Sequence, residues 1–446
     1  MLFGLGGVLA APAIVPAAPL ARAQLRGAID AAQLGLDPNN LNDQSRQLQR
    51  VLDEGSRRDR PVVLPPGTYR VGDVRLPART VLMGLGGTAR IVFAAGETLL
   101  LGEGCERVRL SGLVLDGDNR AVTDPMAGLV TLRSCPDVAV EDCTLMGARG
   151  VGLRLEVCGG RVADCTISGA RGLSAVYSVN ATGLAIRDNV VRDCANGGIL
   201  VHRWQRGEDD TIVSANRVAR IGAASGGTGQ WGNGINVFRA QGVKVADNHV
   251  TDCAFSAIRC NSATNATITG NTALRSGETA LYAEFAFQGA LVANNMVDGA
   301  AVGVSIANFN EGGRLAVVAN NVVRNLRTDG PYPAENAGFG IGIAVEADTG
   351  VSGNVIEDAR WGMLLGWGPY LRDVSVSGNV IRKAETGIAV SVADGAGPAQ
   401  IVNNTIRARQ AVVGHLWRDA ATGDLAQGGD VPAHLSVANN RASAPG

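Results

Sequence analysis

Lysine is nearly absent from this sequence: apart from Lys244 and Lys383, the 40 Lys and Arg residues are all arginine. Lysine-based covalent chemistry has little to work with, whereas the arginine fork suits carboxylates and other anions. Aromatic residues are scarce at 4% and charged residues make up 18%, which excludes a core built on large rings. A basic field is also missing, because 40 Lys and Arg stand against 41 Asp and Glu. Without such a field no counterions are released on binding nucleic acid, which is therefore not an expected partner. The eight cysteines include no C-x-x-C pair and are too few for a disulfide scaffold. No dense aspartate cluster exists for calcium, so no metal and no cofactor is implied.

What is abundant is glycine, 60 of 446 residues, in a chain that is 46% apolar. Such a chain makes many turns and packs small aliphatic side chains. Residues 2–20 are apolar, interrupted by Pro12, Pro16 and Pro19, and end before Ala21-Arg22-Ala23. This reads as the hydrophobic region and A-x-A site of an export signal over residues 1–23, not as a membrane span. The basic segment that opens such a signal is expected upstream of Met1. The mature protein is then periplasmic or secreted, with no transmembrane anchor.

From about residue 85 the chain repeats itself. The clearest copies are EDCTLMGARGVGLRL (141–155), ADCTISGARGLSAV (163–176), RDNVVRDCANGGILV (187–201), ADNHVTDCAFSAIRC (246–260) and SGNVIEDARWGMLL (352–365). One marker position runs through Cys143, Cys165, Asn189, Asn216, Asn248, Asn271, Asn295, Asn321, Asn354, Asn379, Asn404 and Asn440. Most steps are 22 to 27 residues, and steps of 32, 33 and 36 mark insertions. Each unit holds short alternating Val/Ile runs between Gly, Asn and Asp turns and no ten-residue helical pattern. The fold expected is all-β, a single-stranded right-handed parallel β-helix with strands of successive coils ~4.8 Å apart. The marker asparagines are expected to occupy left-handed bends and to bond amide to amide up the stack. Cys105, Cys135 and Cys158 recur at matching points, as do Cys143 and Cys165. Stacked buried thiols explain this spacing, with Cys143–Cys165 or Cys135–Cys158 bridges as the alternative.

A solenoid needs its open end covered. Residues 24–84 are expected to do so, with a helix capped by Asn42 or Asp43 that places Leu48, Val51 and Leu52 on one face, then strand, turn and strand over residues 62–77. Residues 85–440 form the repeats and 441–446 a tail. The D-x-S-x-x-L-Q segment from Asp43, followed by LPPGTY (64–69), resembles the entry to pectin-lyase-like β-helix proteins, and the layout extends that resemblance over residues 40–440. The chain is similar to the twin-arginine-translocated repeat proteins of alphaproteobacteria, a resemblance that implies architecture only.

In pectin-lyase-like proteins, the resemblance implies, a ligand groove runs along the outer face of one stacked sheet. Counting from the Gly-Ile or Ala-Ile step of each unit, with the Ile inward, the outward pairs are Arg154/Glu156, Ser174/Val176, Leu200/His202, Asn236/Phe238, Arg259/Asn261, Tyr282/Glu284, Ser305/Ala307, Ala344/Glu346 and Leu364/Gly366. Polar and titratable residues gather on the middle coils. Elimination or epimerisation of a uronic acid needs a base, an acid and a cation for the carboxylate. His202, Tyr282 and Glu284 are the candidates for proton transfer and Arg259 for the cation. His202 lies three coils from Glu284, ~14 Å at strand spacing, beyond one proton relay. A solvated face with an Arg259–Glu284 ion pair accounts for the same residues.

Glycoside hydrolysis ranks lower, since no second carboxylate neighbours Glu284 in this index. Trp204 and Trp231, in the insertions at 204–211 and 222–234, are candidates to stack on sugar rings, with Asn236 and Asn261 as further binding residues. The insertion at 327–340 supplies another groove wall. The function expected is an exported carbohydrate-active protein, a lyase or epimerase on an acidic polysaccharide. The alternative is a non-enzymatic polysaccharide-binding or envelope protein. Either is a monomer or homotrimer.

Overall fold

The computed structural model describes residues 27–227, 229–333 and 337–444; the expected export segment lies outside them. The chain is a right-handed parallel β-helix. A typical coil has three short strands, Lys244–Ala246, His249–Cys253 and Ile258–Asn261, which the next coil repeats as Ala266–Thr269, Thr272–Leu274 and Thr279–Glu284. Each strand pairs in parallel with its equivalent one coil on, as in Lys244↔Thr267, His249↔Thr272 and Arg259↔Tyr282. Among the described strand pairs the exception is Asp419–Asp424, which folds back antiparallel onto Thr405–Leu416 at the far end. The lumen is a column of fully buried small aliphatics, such as Val201, Val237, Cys260, Ala283 and Ile306. Few residues need be larger, which is why 4% aromatics suffice.

The asparagine column forms, but not at the left-handed position. Each marker amide from Asn189 to Asn404 donates from Nδ2 to the Oδ1 of the next, starting with Asn189 to Asn216 (2.9 Å) and ending with Asn404 to Asn440 (2.9 Å). The same Oδ1 also accepts the preceding marker's backbone N–H, as Asn216 does from Asn189 (3.0 Å). The left-handed backbone belongs to the residue before each marker, with Asp188 at φ 58°, Asp247 at 58°, Asn294 at 59°, Gly353 at 66° and Gly378 at 67°. The division is physical. The outward bend residue must tolerate positive φ, which Asp, Asn and Gly do, while the marker turns inward to saturate buried backbone groups.

Cysteine does the same work in the early coils: Cys165 donates its backbone N–H to Asn189 Oδ1 (3.0 Å) and its thiol to Val140 O (3.4 Å). All eight cysteines are buried and free. The bridges weighed from their spacing are not formed.

Helix α1 (Ser45–Arg57) closes the first coil with Leu48, Val51 and Leu52 buried. Asp43 Oδ1 accepts the Ser45 N–H at 2.8 Å. The cap position itself is Gln44, whose side chain instead bonds both backbone groups of Asp37 (2.8 and 3.0 Å). No helix among the described residues is long and apolar enough to cross a membrane.

Candidate functional site

The face that carries the polar residues is built from β1 (Val176–Val179), β2 (Gly197–Glu208), β3 (Asn233–Gln241), β4 (Ile258–Asn261), β5 (Thr279–Glu284), β6 (Val302–Ile306) and β7 (Ile341–Val345). Pairing aligns Tyr177, Leu200, Asn236, Arg259, Tyr282, Ser305 and Ala344 in one outward row. A second row runs Val179, His202, Phe238, Asn261 and Glu284. The expected index therefore stands except in one coil. There, two dipeptides fit the pattern, Gly172-Leu173 and Ala175-Val176, and the pairing Val176↔Ile199 selects the second. Ser174 and Val176 are buried, and Tyr177 and Val179 take their outward places. The 204–211 segment is also not all loop, since β2 continues to Glu208 with a register shift between His202 and Gly207.

Four candidate residues meet on β4 and β5. Glu284 Oε1 accepts Arg259 Nε at 2.5 Å and Asn261 Nδ2 at 2.9 Å, and the Glu284 charge acts on the neighbouring Tyr282. Arg259 also donates from Nη1 to the carbonyl of Gly229, in the 222–234 insertion. Both ends of the guanidinium are thus engaged by the protein. The clamp expected on a substrate carboxylate is occupied by Glu284, a pair whose side chains keep 11% and 5% of their exposure.

His202 is not part of this group. Its ring lies edge-on between Tyr177 (5.4 Å) and Phe238 (5.5 Å). Burial, with a smaller contribution from the Arg259 charge, pushes its pKa down to about 3, so the imidazole is neutral and carries no proton to give at neutral pH.

A cavity of about 280 Å³ opens beside Tyr282 over the small residues Ser305, Ala307 and Ala344. Its walls include Tyr332 and Phe339 from the 327–340 insertion, Trp367, and two carboxylates, Glu278 and Glu346. Tyr332 donates its hydroxyl to Glu278 Oε1 at 2.6 Å. Burial raises the Glu278 carboxyl above its usual range, against the lowering by Tyr332 and Arg259. Burial likewise raises Glu284 and Glu346, and drives the Tyr282 phenol well above 10, with the Glu284 and Glu278 charges adding to the effect. Tyr282 thus keeps its proton at neutral pH.

Glu278 and Tyr332 escaped the sequence reading. Glu278 sits one residue ahead of β5, outside the alternation, and Tyr332 is 54 residues away. The Ser/Gly/Glu turn at 276–278 carried no signal that separates it from the other turns.

A second groove, about 390 Å³, lies at the C-terminal ends of the same strands, lined by Trp204, Arg206, Phe238, Arg239, Asn261 and Phe285 among others. Trp204 is 56% exposed there, and its carbonyl accepts Arg239 Nη1 at 2.8 Å. Trp231 lines neither space; it is partly buried in its own insertion. Asn236 is buried between Leu200 and Arg259, and its Oδ1 has no hydrogen-bond partner among the described residues. Among the described residues no group of three or more His, Cys, Asp or Glu side chains is placed to hold a metal ion.

Comparison with known proteins agrees on the fold. A family profile described as "Right handed beta helix region" matches residues 206–370. The pre-mature gene product 12 of bacteriophage phi29 is similar at 15% identity with TM-score 0.54, over 86% of this chain and 65% of that one. The chain thus spans about 65% of that protein's length. The Dettilon tailspike protein gp208 is similar at 16% identity and TM-score 0.52, over 86% of this chain and 67% of that one. The A-module of the Azotobacter vinelandii mannuronan C-5 epimerase AlgE4 aligns at 15% identity and TM-score 0.47, over 92% of this chain and 99% of its own length. Likeness at these identities is likeness of fold. No curated protein matches the sequence.

Proposed function

We propose that this chain is an exported carbohydrate-binding β-helix that lays a polysaccharide along the β2–β7 face. The observation that carries the reading is the pairing of two aromatic-walled spaces on one face, one lined by Asn261 of the Asn261–Glu284–Arg259 network and the other by Tyr282 on the same strand as Glu284. Sugar rings offer apolar C–H faces to aromatic side chains and hydroxyls to fixed polar groups, and this face provides both. Arg206 and Arg239 beside Trp204 favour an acidic polymer in that groove.

Binding is tested by affinity electrophoresis and calorimetry on alginate, polygalacturonate and a neutral glucan. The acidic polymers are expected to bind, and Trp204→Ala to weaken binding about tenfold or more. No binding to any polymer overturns the reading. Export belongs to the same proposal, and a mature chain starting at Gln24 in the periplasmic or secreted fraction is its expected mark.

Turnover by elimination or epimerisation is a second reading, favoured by the protonated Tyr282 beside the raised carboxyls of Glu284 and Glu278. In it Tyr282 donates and a carboxylate abstracts. It requires new absorbance from unsaturated uronate or a changed epimer ratio, lost on Tyr282→Phe while binding persists. A pure binding platform yields neither signal.

A further inference from the structure

The two spaces on this face differ in charge. The Trp204 groove is lined by Arg206 and Arg239, with Glu311 as its one acid among the described lining residues. The cavity beneath Tyr332 is lined by Glu278 and Glu346 and by no arginine, lysine or histidine among the described residues. Arg259, whose charge acts on Glu278, is already paired with Glu284 and pinned to the Gly229 carbonyl, and Arg360 behind the wall is bonded to the Ala337 carbonyl. A uronate placed in the cavity would meet two carboxyl groups and no counter-charge. A cation would meet carboxyl oxygen together with the aromatic side chains of Tyr332, Phe339 and Trp367, a combination that attracts ammonium groups through both Coulomb and cation–π terms.

The floor is made of Ser305, Ala307 and Ala344, residues too small to fill the space themselves. Its volume of about 280 Å³ is at the lower end of ligand pockets and fits a single sugar unit. Glu278 is 8% exposed and accepts the Tyr332 hydroxyl through Oε1, while its Oε2 lies beside Gly229.

We infer that the cavity beneath Tyr332 receives a sugar unit bearing a free amino group, with Glu278 as the group that binds its ammonium. The inference rests on the reading of this face as a polysaccharide-binding surface, and it adds the class of sugar that the cavity selects. Burial keeps the Glu278 carboxyl above its ordinary range. An arriving ammonium offsets that desolvation and favours the ionised form, whereas a neutral or anionic sugar gives no such return.

The experiment measures binding of the full chain to three sets of oligosaccharides of equal length by calorimetry: glucosamine oligomers, their N-acetylated counterparts and oligogalacturonates. The comparison is repeated for Glu278→Gln, which keeps the shape and an acceptor for Tyr332, and for Trp204→Ala. Wild type is expected to bind the amino oligomers at least tenfold more tightly than the acetylated ones. Glu278→Gln should erase that ratio, while Trp204→Ala should leave it unchanged.

Equal affinity for amino and acetylated oligomers overturns the inference, as does a preference that survives Glu278→Gln. If acidic polymers bind in a Trp204-dependent way but amino oligomers do not, this inference alone fails. If nothing binds, the polysaccharide reading fails with it. Circular dichroism and the melting temperature of Glu278→Gln confirm that a lost preference does not come from a lost fold.

Discussion

At the residue scale, charge on this face is governed by what each group touches. His202 is an outward residue by its backbone, yet Tyr177 and Phe238 flank it on the neighbouring coils. The unfolded chain takes up a proton on this ring near 6.5, while the folded one does so only near 3. The unfolded state therefore binds more protons between those values, and stability falls as the pH drops through 6.5. The slope is at most about 1.4 kcal/mol per pH unit. His202→Phe keeps a ring in the stack and removes the titration. Urea unfolding at pH 7 and pH 5 should show wild type losing about 1–2 kcal/mol relative to the variant. An unchanged difference would mean that the imidazole is solvated in the folded protein. Arg259 makes the complementary point, since its guanidinium is tied to Glu284 and to the Gly229 carbonyl within the protein.

At the scale of the element, the coil is held by its marker amide. Asn295 donates to Ile268 O (3.0 Å) and Asn321 Oδ1 (2.9 Å), and accepts from the N–H (2.9 Å) and the Nδ2 (3.1 Å) of Asn271. Asn295→Ala removes these bonds and strands buried partners above and below, so a loss of about 2–4 kcal/mol in urea unfolding is expected. Arg324→Ala, which breaks the exposed pair with Asp298, should cost less than about 1 kcal/mol. Comparable costs for the two would place the ladder on a par with surface pairs.

The ladder was legible because its spacing recurs, as were the outward rows, which follow from period-2 alternation in the strands. The one misread coil, at Ser174/Val176, shows the limit of that logic. Two dipeptides fitted the inward step three residues apart, an odd slip that exchanges the faces, and strand pairing chose between them.

At the scale of the whole molecule, the coils form a continuous stack whose ends must be closed. The hairpin strand Asp419–Asp424 turns back at one end and α1 packs its apolar stripe on the other. Charging that stripe by Leu48→Asp with Val51→Asp should uncover the first coil and convert the chain to larger species in size-exclusion chromatography with light scattering. A monodisperse variant would show that α1 is dispensable as a cover.

The sequence by itself determined the solenoid, its inward aliphatics, its amide column and most of the outward rows. Each of these follows from a short local pattern repeated at nearly constant translation, and stacking the pattern leaves little freedom. Tertiary structure alone decided that Glu278 and Tyr332 share a cavity with Tyr282, that Arg259 is paired with Glu284, and that His202 is packed between two rings. Those outcomes depend on where insertions fold back over the coils, and on burial that arises only when chain segments 23 to 54 residues apart come into contact. No periodicity encodes either.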